Sequence, residues 1–216
     1  MAKYGTIIWL TVLACAALFL IIPDTRIIFS EATKAHPFLM GFCKFAILSI
    51  MGEFLAARLV TGKWQQIKGL LPKMAVWGVL GVMIVLMFSL FTSGVAGLLD
   101  KGFLPAGEGF TASLLKAFYI STFMNLTFGP VFMAAHRITD GLIDSRSAGK
   151  TKSVTEVISE TDWSSFLKFV VGKTIPMFWI PAHTITFLLP EEFKVIFAAS
   201  LSIVLGLILS YAKMKK

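Results

Sequence analysis

The sequence predicts an all-α protein, a polytopic transmembrane helical bundle of about six spans with both termini on the cytoplasmic side. Three observations carry that expectation. Six long apolar stretches, residues 5–22, 38–59, 74–99, 111–135, 166–187 and 195–212, occupy most of the 216 residues. The composition, 56% hydrophobic with 15% charged residues and a mean hydropathy of +0.81, leaves too little polar surface to cover a soluble globule. The lysines and arginines fall on alternate connections.

Each stretch is long enough to cross a bilayer, because about 20 residues of α-helix traverse about 30 Å of hydrocarbon. With the amino terminus inside, the inside segments hold Lys3, then Arg58, Lys63, Lys68 and Lys73, then Arg137, Arg146, Lys150 and Lys152, and finally Lys213, Lys215 and Lys216. These are twelve of the twenty basic residues, against Arg26, Lys34, Lys101 and Lys194 outside. Such an asymmetry sets orientation. Lys44, Lys116, Lys168 and Lys173 lie within spans or at their ends. A net charge of +8 would point to nucleic acid in a soluble chain. Here the charges are dispersed among short loops, so the expected partners are the lipid bilayer and a small solute, with no nucleic acid and with room for a homo-oligomer. Residues 1–216 form a single integral membrane domain in this reading.

The first stretch contains Val12-Leu13-Ala14-Cys15, loosely like a lipoprotein cleavage site. The apolar run continues through Ile22 and five more follow, so an uncleaved first helix is expected. Cys15 and Cys43 fall inside spans and are expected to pack as small apolar residues, without a disulfide.

In the second stretch Glu53 follows Gly52 at membrane depth, where an ionised carboxylate costs about 2.5–3.5 kcal/mol. Lys44, Met51 and Arg58 are seven apart and share a face from which Glu53 is rotated, so its partner is expected on another helix. Two readings stand side by side, a carboxylate lining a cavity and a structural ion pair near the inside boundary.

The fourth stretch sets Ser121, Asn125 and Gly129 four apart, a polar seam against a neighbouring helix, and Pro130 is expected to break or kink it. Residues 137–165 form the longest polar segment, with 145–155 a flexible inside loop. Ser153-Val154-Thr155-Glu156 fits a capping box opening a short surface helix with Val154, Val157 and Ile158, anchored by Trp163 at the headgroups. Ala148-Gly149-Lys150-Thr151 looks like the end of a phosphate-binding loop, but Asp144 stands where that motif needs glycine. On the other side, residues 100–110 carry Gly102, Pro105, Gly107 and Gly109, a turn-rich connector.

The fifth stretch is interrupted by Lys168, Lys173, Pro176, Trp179, Pro181, His183, Thr184 and Thr186 before Pro190 ends it. Pro176 and Pro181 free backbone carbonyls at membrane depth, which protein or a watery cavity must satisfy. This helix is therefore the expected cavity wall. Lys44, Glu53, Ser121, Asn125, His183 and Thr186 are the candidate cavity or seam residues, with Glu53, Asn125 and His183 expected around one cavity. The sixth stretch places Ala198, Ser202, Gly206 and Ser210 four apart, a close-packing face. Phe42-Cys43-Lys44-Phe45 and Phe166-Leu167-Lys168-Phe169 give a faint echo between the halves. No zinc-type or nucleophile-elbow signature occurs, and His36, His136 and His183 have no ligand spacing. The expectation is no enzyme, no cofactor and no metal.

These residues resemble the Mpv-seventeen/peroxisomal membrane protein family of small integral membrane proteins. Its proline followed by Gly-Asp is similar to Pro37 with Gly52-Glu53, its Phe-x-Pro to Phe128-Gly129-Pro130, and its Pro-x-x-Tyr-Arg-Val to Pro190 through Phe193-Lys194-Val195. Its closing Tyr-Leu-Ser falls on Ile208-Leu209-Ser210. The resemblance covers about residues 35–212 and departs from the family at Glu53, Ala57, Met124-Asn125 and Leu205-Gly206. It implies a divergent, prokaryotic member that forms a weakly selective solute pore or acts like a transporter, in a bacterial inner or plasma membrane. An organelle membrane is the alternative location, and a non-transporting structural or assembly protein is the alternative function.

Overall fold

The computed structural model of the protein describes residues 2–214, with side chains described for residues 4–208. Among these residues every regular element is helical. Four helices are long and apolar enough to cross a membrane: α1 (Ala2–Ile21), α3 (Pro37–Thr61), α4 (Leu70–Asp100) and α5 (Gly109–Ser147). They coincide with the first four apolar stretches. Between the first two lies α2 (Pro23–Ala35), an element absent from the sequence reading. Pro23 sits at its first turn, where a missing N–H costs nothing, and only Phe29 and Thr33 are buried.

α5 runs twelve residues beyond the end of the predicted span. Pro130 does not break it, contrary to expectation, because one proline removes a single ladder bond from a 39-residue helix. The helix stops where the Ala148 and Lys150 N–H groups turn back onto Asp144 and Ser145 and Gly149 adopts φ +73°. The capping box forms as predicted: the Glu156 N–H donates to Ser153 Oγ at 3.2 Å, and the Ser153 N–H donates to Glu156 Oε2 at 2.6 Å. It opens α6 (Val154–Glu160), which buries Val157 and leaves Val154 and Ile158 exposed. The Ser153 N–H and hydroxyl, with Lys152 adding a smaller effect, hold the Glu156 carboxyl below the usual carboxylate range. A depressed folded-state value means the stabilisation is fully present above the usual carboxylate range and lost as pH falls through the lower, folded-state value. Amide protection factors in α6 are expected to fall as the pH drops below the usual carboxylate range, and Glu156→Gln should abolish that dependence, whereas Ser153→Ala, which keeps the backbone donor, should only reduce it.

After α7 (Trp163–Ser165), the fifth stretch is a π-helical segment, Phe166–Trp179, continued by α8 (Ile180–Leu188). Pro176 does not break the run; it lies inside the wide i→i+5 winding, and Pro181 falls in the first turn of α8. The Ile180 N–H donates to the Ile175 carbonyl, and Thr174 Oγ1 to the Phe169 carbonyl at 3.0 Å, both five residues back. The chain ends in α9 (Glu191–Met214), whose first turn carries Glu191 and Glu192 at the positive helix end.

The chain divides into two compact units, 1–82 with 199–216, and 83–198. In the first, α3 is the core helix, with Lys44 through Ala46 and Leu48 through Gly52 buried. Close approach is possible because glycines face backbone: a Cβ on Gly81 of α4 would stand 2.4 Å from the Gly41 carbonyl oxygen, and one on Gly52 3.1 Å from Ser202 of α9. A Cβ on Gly206 would lie 3.3 Å from the Gly52 carbonyl. The small-residue face read from the sixth stretch thus packs as expected through Ser202 and Gly206. Leu209 and Ser210 lie outside the residues whose side chains are described. Cys15 and Cys43 are unpaired and exposed, so neither has the packing role expected of it. α1 holds on through Trp9, whose indole donates to the Met51 carbonyl at 3.0 Å.

Candidate functional site

The second unit holds a cavity of about 770 Å³ where the C-terminal third of α5 meets α6, Thr161 and Asp162, and the start of the π-helical segment. From α5 come Met133, His136, Arg137, Asp140, Gly141 and Asp144, which follow one another at helical spacing on a single face. Val157 of α6 stands where a Cβ on Gly141 would be, 2.6 Å from that position, so glycine at 141 lets α6 seat against α5. The floor is tied together locally. Ser145 Oγ donates to the Lys150 carbonyl at 3.0 Å, and Asp162 Oδ1 accepts from the Ser165 N–H at 2.9 Å. Lys152 is ion-paired with Glu160, and His136 Nε2 lies 3.7 Å from Asp140 Oδ2. Arg137, Lys150, Asp144 and Asp162 complete a lining that carries both signs of charge, while Phe166 and Val170 form its apolar side.

The seam read from the fourth and fifth stretches lies in the same unit. Ser121, 0% exposed, donates to the Ile180 carbonyl at 2.7 Å, and Thr184 donates to the same oxygen at 2.7 Å. That carbonyl immediately precedes Pro181, so two hydroxyls serve the carbonyl at the π-to-α junction. Asn125 Nδ2 donates to the Ser121 carbonyl at 2.8 Å and lies 3.0 Å from His183 Nδ1. His183 stacks on Trp179 at 5.3 Å and meets Phe88 edge-on at 5.9 Å. Thr186, fully buried, donates to the Ala182 carbonyl of its own helix. Asn125 and His183 thus come together as expected, but in packed surroundings, and neither lines the cavity. Asn125→Leu would remove the donor that Ser121 and His183 share. A loss of about 1 kcal/mol is expected in detergent unfolding.

Glu53 and Lys44 belong to the first unit. The Trp77 indole N–H donates to Glu53 Oε1 at 2.7 Å and Lys73 Nζ lies 3.7 Å from Oε2, so the partner expected on another helix is supplied by α4. Lys44 donates to Thr33 Oγ1 at 2.9 Å and lies 4.3 Å from the Phe29 ring centre, fastening α2 onto α3. Of the remaining motif residues, Pro37 opens α3, Phe128 lies in α5, and the Phe193 N–H donates to the Pro190 carbonyl at 3.0 Å. Lys194 pairs with Glu191 above the Phe187 ring, and Val195 is buried.

The residues that the sequence reading missed are those of the cavity. Their signal was the four-residue spacing of His136, Asp140 and Asp144, which an earlier end to the fourth helix concealed. Comparison of the chain with protein-family models, with curated proteins and with solved structures gives no match.

Proposed function

We propose that the protein is a six-span integral membrane protein, both termini cytoplasmic, that passes or carries a small polar solute by way of the cavity at the end of α5. The cavity carries this reading: about 770 Å³ falls within the range of small-molecule sites. A solute bearing both charges would exchange hydration for Arg137 and Lys150 at its anionic group and for Asp140 and Asp144 at its cationic group. The fifth span in this reading is the π-helical segment with α8, and the sixth is α9. In this reading, which the basic-residue asymmetry supports, the cavity faces the cytoplasmic side. Beyond it Ile175, 1% exposed, packs at Gly129, and the Asn125–His183 pair follows. A cavity open on one side and closed on the other is what alternating access requires. The resemblance to the Mpv-seventeen/peroxisomal membrane protein family and a bacterial inner or plasma membrane belong to the same proposal.

A second reading, a structural or assembly protein, draws on the buried Asn125–His183 seam, where the polar groups satisfy one another. Purified protein in liposomes separates the two. Zwitterionic solutes are expected to enter faster than into protein-free vesicles, and Arg137→Gln should lower that flux at least tenfold with the melting temperature unchanged. No flux of zwitterionic, cationic or anionic solutes, with folded protein in the vesicles, would leave the structural reading.

A further inference from the structure

The inward face of the fifth helical stretch recurs at Phe166, Val170, Ile175, Trp179 and His183, in steps of four and five. Phe166 and Ile175 are 4% and 1% exposed. In an α-helix the nine residues between them turn through about 900°, which sets them on opposite faces. In an i→i+5 winding of roughly 4.4 residues per turn, nine residues come close to two full turns, so both face inward. The π register is therefore what puts Phe166 on the cavity.

Counting back from Ile175 in an α register gives a different residue. Seven residues turn through about 700°, nearly two turns, and span about 10 Å, so the inward position at that depth falls to Lys168. Lys168 is exposed in the present register. The upper end of the stretch is pinned by the Ser121 bond to Ile180 and by the Asn125–His183 pair, so a change of register displaces the lower end.

Pro176 explains why the wide winding is adopted. In an α-helix its ring would collide with the carbonyl of Gly172, four residues back. The i→i+5 winding displaces that carbonyl, and the Thr174 hydroxyl donates five residues back to Phe169.

We infer that Phe166–Ile175 rewinds between π and α registers below Pro176, exchanging Phe166 for Lys168 on the cavity wall. Lys168 is then the second-state residue of the cavity. Its ammonium enters beside Asp140, Asp144 and Asp162 and competes with the cationic group of a bound solute for those carboxylates. That consequence rests on the solute reading above, whereas the change of register stands apart from it.

The test uses the full chain in liposomes, with Cys15 and Cys43 replaced by serine and a cysteine at Arg137 paired with one at Phe166 or at Lys168. Under mild oxidant both pairs are expected to form disulfides, the 166 pair faster. Pro176→Ala should move the ratio of the two rates toward the 168 pair by as much as about two orders of magnitude. A 166 pair that forms while the 168 pair never does, in either background, would overturn the change of register. An unchanged ratio in Pro176→Ala would overturn the part assigned to the proline. If Pro176→Ala does not fold, a nitroxide at residue 168 of the otherwise intact segment decides the matter. Two components, one immobilised and open to a polar relaxation agent, are expected, and one component alone refutes the inference. Flux is read in the chain that keeps Arg137: both cross-links with no flux there would sink the solute reading only, and flux there without the 168 cross-link would sink the register change only.

Discussion

Gly81→Ala is expected to be among the most damaging single-methyl substitutions in the chain. The added Cβ would lie 2.4 Å from the Gly41 carbonyl oxygen and 2.7 Å from Phe45 Cβ, and neither can swing aside as a long side chain would. α3 and α4 must separate. Overpacking of a well-filled contact costs about 1–3 kcal/mol, and a clash with backbone belongs at the upper end. In a bilayer, helix association relies on such close packing. The comparison is internal, because Gly94 and Gly97 on the same helix have open space around the position of a Cβ. Alanine there should be neutral or stabilising by up to about 1 kcal/mol through helix propensity. Thermal unfolding in detergent of the three variants decides it, and equal melting temperatures would disprove the close approach of α3 and α4.

Glu53→Ala is expected to have a comparable effect for an electrostatic reason. Its side chain is 24% exposed and that of Lys73 10%, so removing the carboxylate leaves a largely buried ammonium and strips the Trp77 indole of its acceptor. Breaking one side of a buried pair costs about 3–5 kcal/mol, and the partial exposure of Glu53 places this pair at or below the lower figure. Glu53→Gln keeps an acceptor for Trp77 and should lose less. Glu53→Gln combined with Lys73→Met removes both charges and should recover most of the loss, a coupling that a double-mutant cycle reads directly. If Glu53→Ala unfolds at the wild-type temperature, the pair contributes nothing and Glu53 is available for another role.

Helix-forming stretches were legible in the sequence wherever one local rule was enough. Hydrophobic length marked α1, α3, α4 and α5, the Ser153–Glu156 reciprocity marked the start of α6, and four-residue spacing marked the packing of Ser202 and Gly206. These are properties of neighbours in the chain, and bilayer thickness, backbone donors and helical period act on neighbours. Glu53 needed a partner for the same kind of reason, since its insertion cost does not depend on the fold. Which partner it found did depend on the fold, because Lys73 and Trp77 had been assigned to a loop and to an apolar run. The π winding was hidden because an α-helical period sets Phe166 and Ile175 on opposite faces. The cavity was hidden because its walls come from residues about 30 apart in the chain, and helical reach beyond Arg137 followed from docking against Val157 rather than from apolar length. Local chemistry thus settled the helices and their membrane character, while the register of one helix and the contacts of glycine with backbone came from packing between segments far apart in sequence.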